Sequence, residues 1–300
     1  MKTFSEYKNE SKYRPIRESA THQYTLFPKD KEELRSMIGD EIEKHGKGAD
    51  LNHIDVSKID DFSGLFEGSG FNGDISGWDV SNAKDMSSMF AVSEFNGDIS
   101  EWDVSNVKNM EGMFFRATSF NQDISSWDVS NVENMSYMFK ASAFNGDISY
   151  WDVRNVTDMK GMFWNSDFNR NLKRWSTRNV KNMSHMFAET AFNQDISRWD
   201  VSNVEDMSRM FTDCEGFNQD ISGWDVSNVT DMDHMFSSCK SFNQDISKWN
   251  VSKVTNMTYM FYSCSSFDQD LSGWNVSNVK SISLMFWDCP CPDEHQPKFK

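Results

Sequence analysis

The chain contains no run of about 18 apolar residues, so no transmembrane helix is expected. Its first ten residues, Met1 to Glu10, lack the apolar core that a secretory leader needs. As given, the chain reads as cytoplasmic; the cell surface or secretion is the alternative if a leader was removed. Positive charge is scarce: 30 basic residues stand against 46 acidic ones, for a formal net charge of −16. That balance argues against direct nucleic-acid binding through the phosphates and against docking on anionic membranes. Gly-rich phosphate loops, H-E-x-x-H and C-x-x-C pairs are absent. Serines are abundant but share no register with the six histidines, so no nucleophile–base pair emerges. The chain is therefore expected not to be an enzyme and to carry no cofactor. Apolar residues make up 38%, low for a large spherical core but suited to a thin columnar one.

What the chain does contain is one sentence, restated nine times between Phe71 and Cys289: F-N-x-D-[IL]-S-x-W-[DN]-V-[SR]-N-V-x-x-M-x-x-M-F. Trp78, Trp102, Trp127, Trp151, Trp175, Trp199, Trp224, Trp249 and Trp274 keep the count, always 24 or 25 residues apart. A strict period in this range marks a solenoid, in which each repeat is a rung that buries its apolar face against its neighbours.

An earlier rung is disguised. Asp50-Leu51-Asn52-His53-Ile54-Asp55-Val56-Ser57 aligns with the stretch from Asp74 to Ser81, with Ile54 in the place of tryptophan. Ahead of it, Asp30 resembles an N-cap with Glu33 at capping-box spacing, and His45-Gly46 resembles a stop. Residues 30–45 are thus expected to form an amphipathic helix that caps the first rung. Pro290 and Pro292 prevent a further regular turn after Phe286. Three regions follow: an N-terminal segment with the capping helix (1–48), the solenoid (49–289) and a C-terminal tail (290–300).

Within a rung, Phe95, Ile99, Trp102, Val104, Val107, Met110, Met113 and Phe114 form the apolar set. Asp98 to Val104 is expected to hold a short strand, and Met110 to Phe114 a short helical turn. The fold expected is a leucine-rich-repeat-like solenoid of about ten such rungs with a helical N-terminal cap. The run M-F-x-x-C-x-x-F-N-Q-D-I-S-x-W-D-V-S-N-V-x-x-M resembles the BspA-like leucine-rich repeat family, specifically its DUF285 branch, over about residues 49–289. The resemblance implies bacterial, often host-associated, proteins used for protein interaction or adhesion, with no catalytic residues.

Residues one period apart become neighbours, so chemistry is read down columns. The column from Asn72 to Asp268 suits a structural ladder at a repeated turn. In the column from Asp74 to Asp270, backbone N–H groups could hold each carboxylate, calcium could bridge rungs, or the acids could form a DNA-mimicking stripe. Cys214, Cys239, Cys264 and Cys289 fall 25 residues apart and suit a packed, reduced ladder. A zinc site from Cys264, Cys289, Cys291 and His295 has no recognised spacing. The stripe Tyr137, Gly161, His185, Arg209, His234, Tyr259 suits a solvated face.

One rung breaks the sentence. From Phe168 to Lys181 both usual aspartates are replaced, by Asn171 and Ser176, and Arg170, Lys173, Arg174 and Arg178 arrive. Arg154 falls one period from Arg178, and Tyr150 and Arg198 one period either side of Arg174; Trp164 lies in the preceding loop. Arginine beside aromatic residues is the composition of interface hot spots. Relief of repulsion between the flanking acidic columns is the competing explanation. The expected role is a protein-interaction scaffold that contacts its partner through Tyr150, Arg154, Trp164, Arg170, Lys173, Arg174, Arg178 and Arg198. An adhesin for host ligands and an acidic inhibitor that mimics nucleic acid are the alternatives.

Overall fold

A computed structural model describes residues 23–299; the stretch from Met1 to Glu10 lies outside them. Successive repeats stack as coils, but the expected leucine-rich-repeat-like strand and helical turn are not formed. Among the described residues there is one α-helix, α1 (Lys31–His45), and one short 3-10 turn (Asp293–His295). Isolated parallel bridges, such as Asp85 with Asn109 and Asn109 with Asn134, take the place of strands and sheet.

The physical reason lies in the Asx residues. Asp98 Oδ1 accepts from the Ser100 N–H at 2.9 Å, and the Trp102 N–H donates back to the Ile99 carbonyl at 3.3 Å. A side chain that captures the backbone two residues on closes a turn instead of leaving the chain extended. The unit then repeats: Asp103 accepts from Ser105 N–H while Val107 donates to Val104, and Asn109 accepts from Glu111 N–H while Met113 donates to Met110. Each coil is thus a chain of tight turns headed by Asp or Asn, with an apolar residue at both ends of each turn pointing inward.

The last of these turns carries positive φ at two positions per coil, for example Ser88 (53°) and Val92 (55°). This geometry aims alternate N–H groups the same way. Met86, Ser88, Phe90 and Val92 all donate to the following coil, to Asn109, Glu111, Met113 and Phe115, at 2.7–2.9 Å. Along this edge the bonds run forward from coil to coil, while the Lys84 and Lys108 N–H groups donate back to Asp60 O and Lys84 O.

Inside, like stacks on like. The Phe90, Phe114 and Phe139 rings follow one another at 5.6 Å with planes within 10°. Trp78 and Trp102 stack at 6.4 Å. Each indole N–H also reaches back one coil, from Trp102 to Ile75 O and from Trp127 to Ile99 O, at 3.1 and 3.0 Å. Among the described residues the disguised first coil is preceded by the short Leu26 bridge and the capping helix, and there Ile54, fully buried with no donor to satisfy, replaces tryptophan.

The helix α1 covers this first coil. Asp30 Oδ1 accepts from the Glu33 N–H at 2.9 Å, Glu33 Oε2 accepts from the Lys29 N–H at 2.8 Å, and Gly46 (φ 82°) ends the helix by donating to Ile42 O. Leu34 and Ile38 are buried against the core, while Arg35 Nη2 donates to Gly64 O at 3.0 Å. Among the described residues no helix is long and apolar enough to cross a membrane.

Candidate interaction groove

The acidic column is built into the turns. From Asp74 to Asp270 each carboxylate accepts the N–H two residues on, at 2.9–3.0 Å, as Ser76 with Asp74 and Ser272 with Asp270. Asn171 makes the same bond to Lys173 N–H at 2.8 Å, so the break in the sentence removes a charge and keeps the turn. Hydrogen bonds from Ser222 and Ser247 hold Asp220 and Asp245 below the ordinary carboxylate range. The asparagine column bonds coil to coil, each N–H to the previous Oδ1, as Asn96 to Asn72 at 2.8 Å.

In the cysteine column Cys214, Cys239 and Cys264 are buried, Cys289 is half-buried, and all four are free thiols. Cys239 and Cys264 donate to Phe211 O and Phe236 O at 2.9 and 2.7 Å, and burial pushes the Cys214 thiol up to about 11. Among the described residues no group of three or more His, Cys, Asp or Glu side chains is placed to hold a metal ion.

The structure sorts the basic residues of the broken coil into two kinds. Some are already committed. Arg154 grips Asp152 through two bonds of 2.8 and 2.6 Å. Lys173 pairs with Asp195, whose carboxyl this ammonium and the Ser197 donors hold far below its usual range. Arg170 donates Nε–H to Asn145 O at 2.8 Å, as Gln122 does to Asn96 O elsewhere in that column.

The others are open. Arg174, Arg178 and Arg198 are exposed, and among the described residues none makes an ion pair or a side-chain hydrogen bond. With Lys173, Trp175, Ser176 and Asp200 they line a groove of about 500 Å³. A second groove of about 400 Å³ adjoins it along Tyr150, Asp152 and Arg154, sharing Arg174 and Ser176. The Arg174 guanidinium lies 4.6 Å above the Tyr150 ring, which is 41% exposed. Below the groove, the buried Thr177 hydroxyl donates to Asp200 O at 2.9 Å and ties the two coils together.

Ser176 makes the opening. Asp152 and Asp200 occupy its column in the adjoining coils, and a third aspartate there would pair with Arg178 as Asp152 pairs with Arg154. Sequence reading named the loss of that aspartate but missed Asp200 and Thr177, which become neighbours only through stacking.

Trp164 belongs elsewhere. It lines neither groove; its ring is 3.4 Å from Lys140 Nζ and 4.7 Å from the His185 ring, and its Nε1–H donates to Glu189 Oε1 at 3.2 Å. Tyr137 and Phe115 complete this aromatic surround at 5.2 and 5.5 Å from the same ammonium. A Cβ on Gly161 would fall 2.7 Å from the Tyr137 ring, so glycine there is what lets the ring lie flat. Burial, and then Arg116, lower the Lys140 pKa, while burial, and then Arg209, pull His185 down to about 4.

The family described as "Mycoplasma protein of unknown function, DUF285" matches residues 32–145, 140–232 and 189–296. No curated protein and no solved structure matches the chain.

Proposed function

The chain belongs to the DUF285 family, and we propose that it is a non-enzymatic scaffold that binds a partner protein through the groove of the broken coil. One observation carries this reading: Arg174, Arg178 and Arg198 border an open groove and, among the described residues, make no ion pair, on a chain of net charge −16. Charge relief alone would have paired these side chains, as it pairs Arg154 and Lys173. A stacked Arg174–Tyr150 pair beside unpaired guanidinium groups is the material of an interface hot spot. The wider BspA-like affiliation is proposed on the wording of the repeat alone.

The test is capture from a lysate of the source organism, wild type beside the Arg174→Glu/Arg178→Glu variant, with circular dichroism to verify that the fold is kept. A protein bound by wild type and lost from the variant supports the scaffold. Identical captures by the two proteins overturn it.

A further inference from the structure

We infer that the group this groove receives is a phosphate monoester carried by the partner protein, such as a phosphoserine or phosphothreonine side chain. The inference rests on the scaffold reading and specifies its ligand. Of the charges lining the groove, Lys173 is already neutralised by Asp195. Three guanidinium groups then face the single carboxylate of Asp200, and one oxygen of that carboxylate is occupied by the Ser202 N–H and hydroxyl. Among the described residues two positive charges are then left without a counterion. A partner carboxylate would cancel one of them; a phosphate monoester, close to a dianion at pH 7, cancels both.

The donors suit the same group. A guanidinium presents a planar fork of N–H bonds that matches phosphate oxygens two at a time. Arg174 and Arg198 are one coil apart in one column, and Arg178 lies across Ser176 from Arg174. Three forks therefore border one space, and three oxygens of a phosphate monoester can be shared among them. Stacking on Tyr150 at 4.6 Å fixes the plane of Arg174 and leaves its edge for the ligand. At about 500 Å³ the groove also has room for the peptide on which a phosphate sits.

The surroundings favour one phosphate over many. In the column of Ser176, Asp103 and Asp128 are exposed on one side and Asp225 on the other. A nucleic-acid strand laid along the coils would set its further phosphates against these carboxylates. An isolated phosphate on a protein meets only the groove.

The experiment titrates the full chain with N-acetyl-phosphoserine amide, N-acetyl-glutamate amide, inorganic phosphate and a single-stranded oligonucleotide, read on the arginine Nε–H signals by NMR. Phosphoserine is expected to shift Arg174, Arg178 and Arg198 and to bind at least about tenfold more tightly than glutamate, since charge and paired hydrogen bonds both favour it. Lowering the pH to about 5, below the second phosphate pKa of about 6, is expected to erase much of that preference. Ser176→Asp, which restores the missing carboxylate, is expected to abolish binding while the turn stays intact. Equal binding of phosphoserine and glutamate, tighter binding of the oligonucleotide, or inorganic phosphate matching phosphoserine without arginine shifts each overturn the inference. Partner capture that depends on Arg174 and Arg178 but survives phosphatase treatment of the lysate overturns the phosphate and leaves the scaffold standing.

Discussion

The indole N–H of Trp151 donates to the carbonyl of Ile124, 27 residues earlier, at 3.1 Å. The same bond recurs for every tryptophan in the stack and is buried each time. It links the turn of one coil to the side chain of the next, which stacking of rings alone would not do. Phenylalanine could fill much of the space, but it would leave the carbonyl without its donor.

Trp151→Phe is accordingly expected to cost about 2 kcal/mol, part lost packing and part an unsatisfied buried carbonyl. A stack of coils need not unfold in one step. Amide hydrogen exchange is the suitable measurement, with protection expected to fall in the coils holding Ile124 and Trp151 and to persist further away. Unchanged protection next to the substitution would remove the hydrogen bond from this account.

Asp147 tests the turn chemistry. Its carboxylate accepts the Ser149 N–H at 2.9 Å, the bond Asn171 makes with Lys173 one coil on. Asp147→Ala should lower stability by about 1 kcal/mol, whereas Asp147→Asn should be nearly neutral by thermal melting. Equal losses in the two variants would show that charge, and not the Asx turn, matters at this position.

Val92 sits at φ 55° with half its surface exposed. A β-branched residue is strained in this region, and glycine is not. Relief of about 1–2 kcal/mol against an entropic cost of about 0.5–1 kcal/mol leaves Val92→Gly more stable by up to about 1.5 kcal/mol. A lower melting temperature than wild type would contradict this.

His185 should make stability depend on pH. Its pKa is lowered to about 4 by burial, and then by Arg209, so the folded chain binds the proton less readily than the unfolded chain, with its ordinary value of about 6.5. The contribution of neutral His185 is present above about pH 6.5 and declines as the pH falls toward 4. Histidine ring signals followed by NMR should show His185 titrating near 4, and His185→Gln should flatten the stability profile between those values. A titration near 6.5 would refute the burial argument.

The open groove shows why part of the site was hidden. Arg154 and Arg178 occupy the same position of successive coils, and each is followed by asparagine. Asp152 lies two residues before the first and Ser176 two residues before the second, so one guanidinium is bound and the other open. That difference can be read from the chain. The capture of Lys173 by Asp195 and of Arg170 by Asn145 cannot, because each depends on which atoms stacking brings within reach. Proximity in sequence groups Trp164 with the arginines, but the coil carries it to a different cluster.

The sequence by itself determined the period, the members of each column and the apolar set, because nine near-identical repeats must bury the same side chains against one another. It also held a signal for turns, an Asp or Asn heading each apolar pair, without choosing turns over strand or helix. Trp102 and Val104 alternate as strand residues do, and Met110, Met113 and Phe114 recur as helix residues do. Only the tertiary structure decided that both patterns close into turns. An Asx side chain can cap a helix, head a turn or face water at similar local cost, and the choice goes to the conformation whose remaining N–H groups find carbonyls. Here those carbonyls belong to the next coil, 23 residues away in the bonds from Met86 to Asn109 and from Phe90 to Met113.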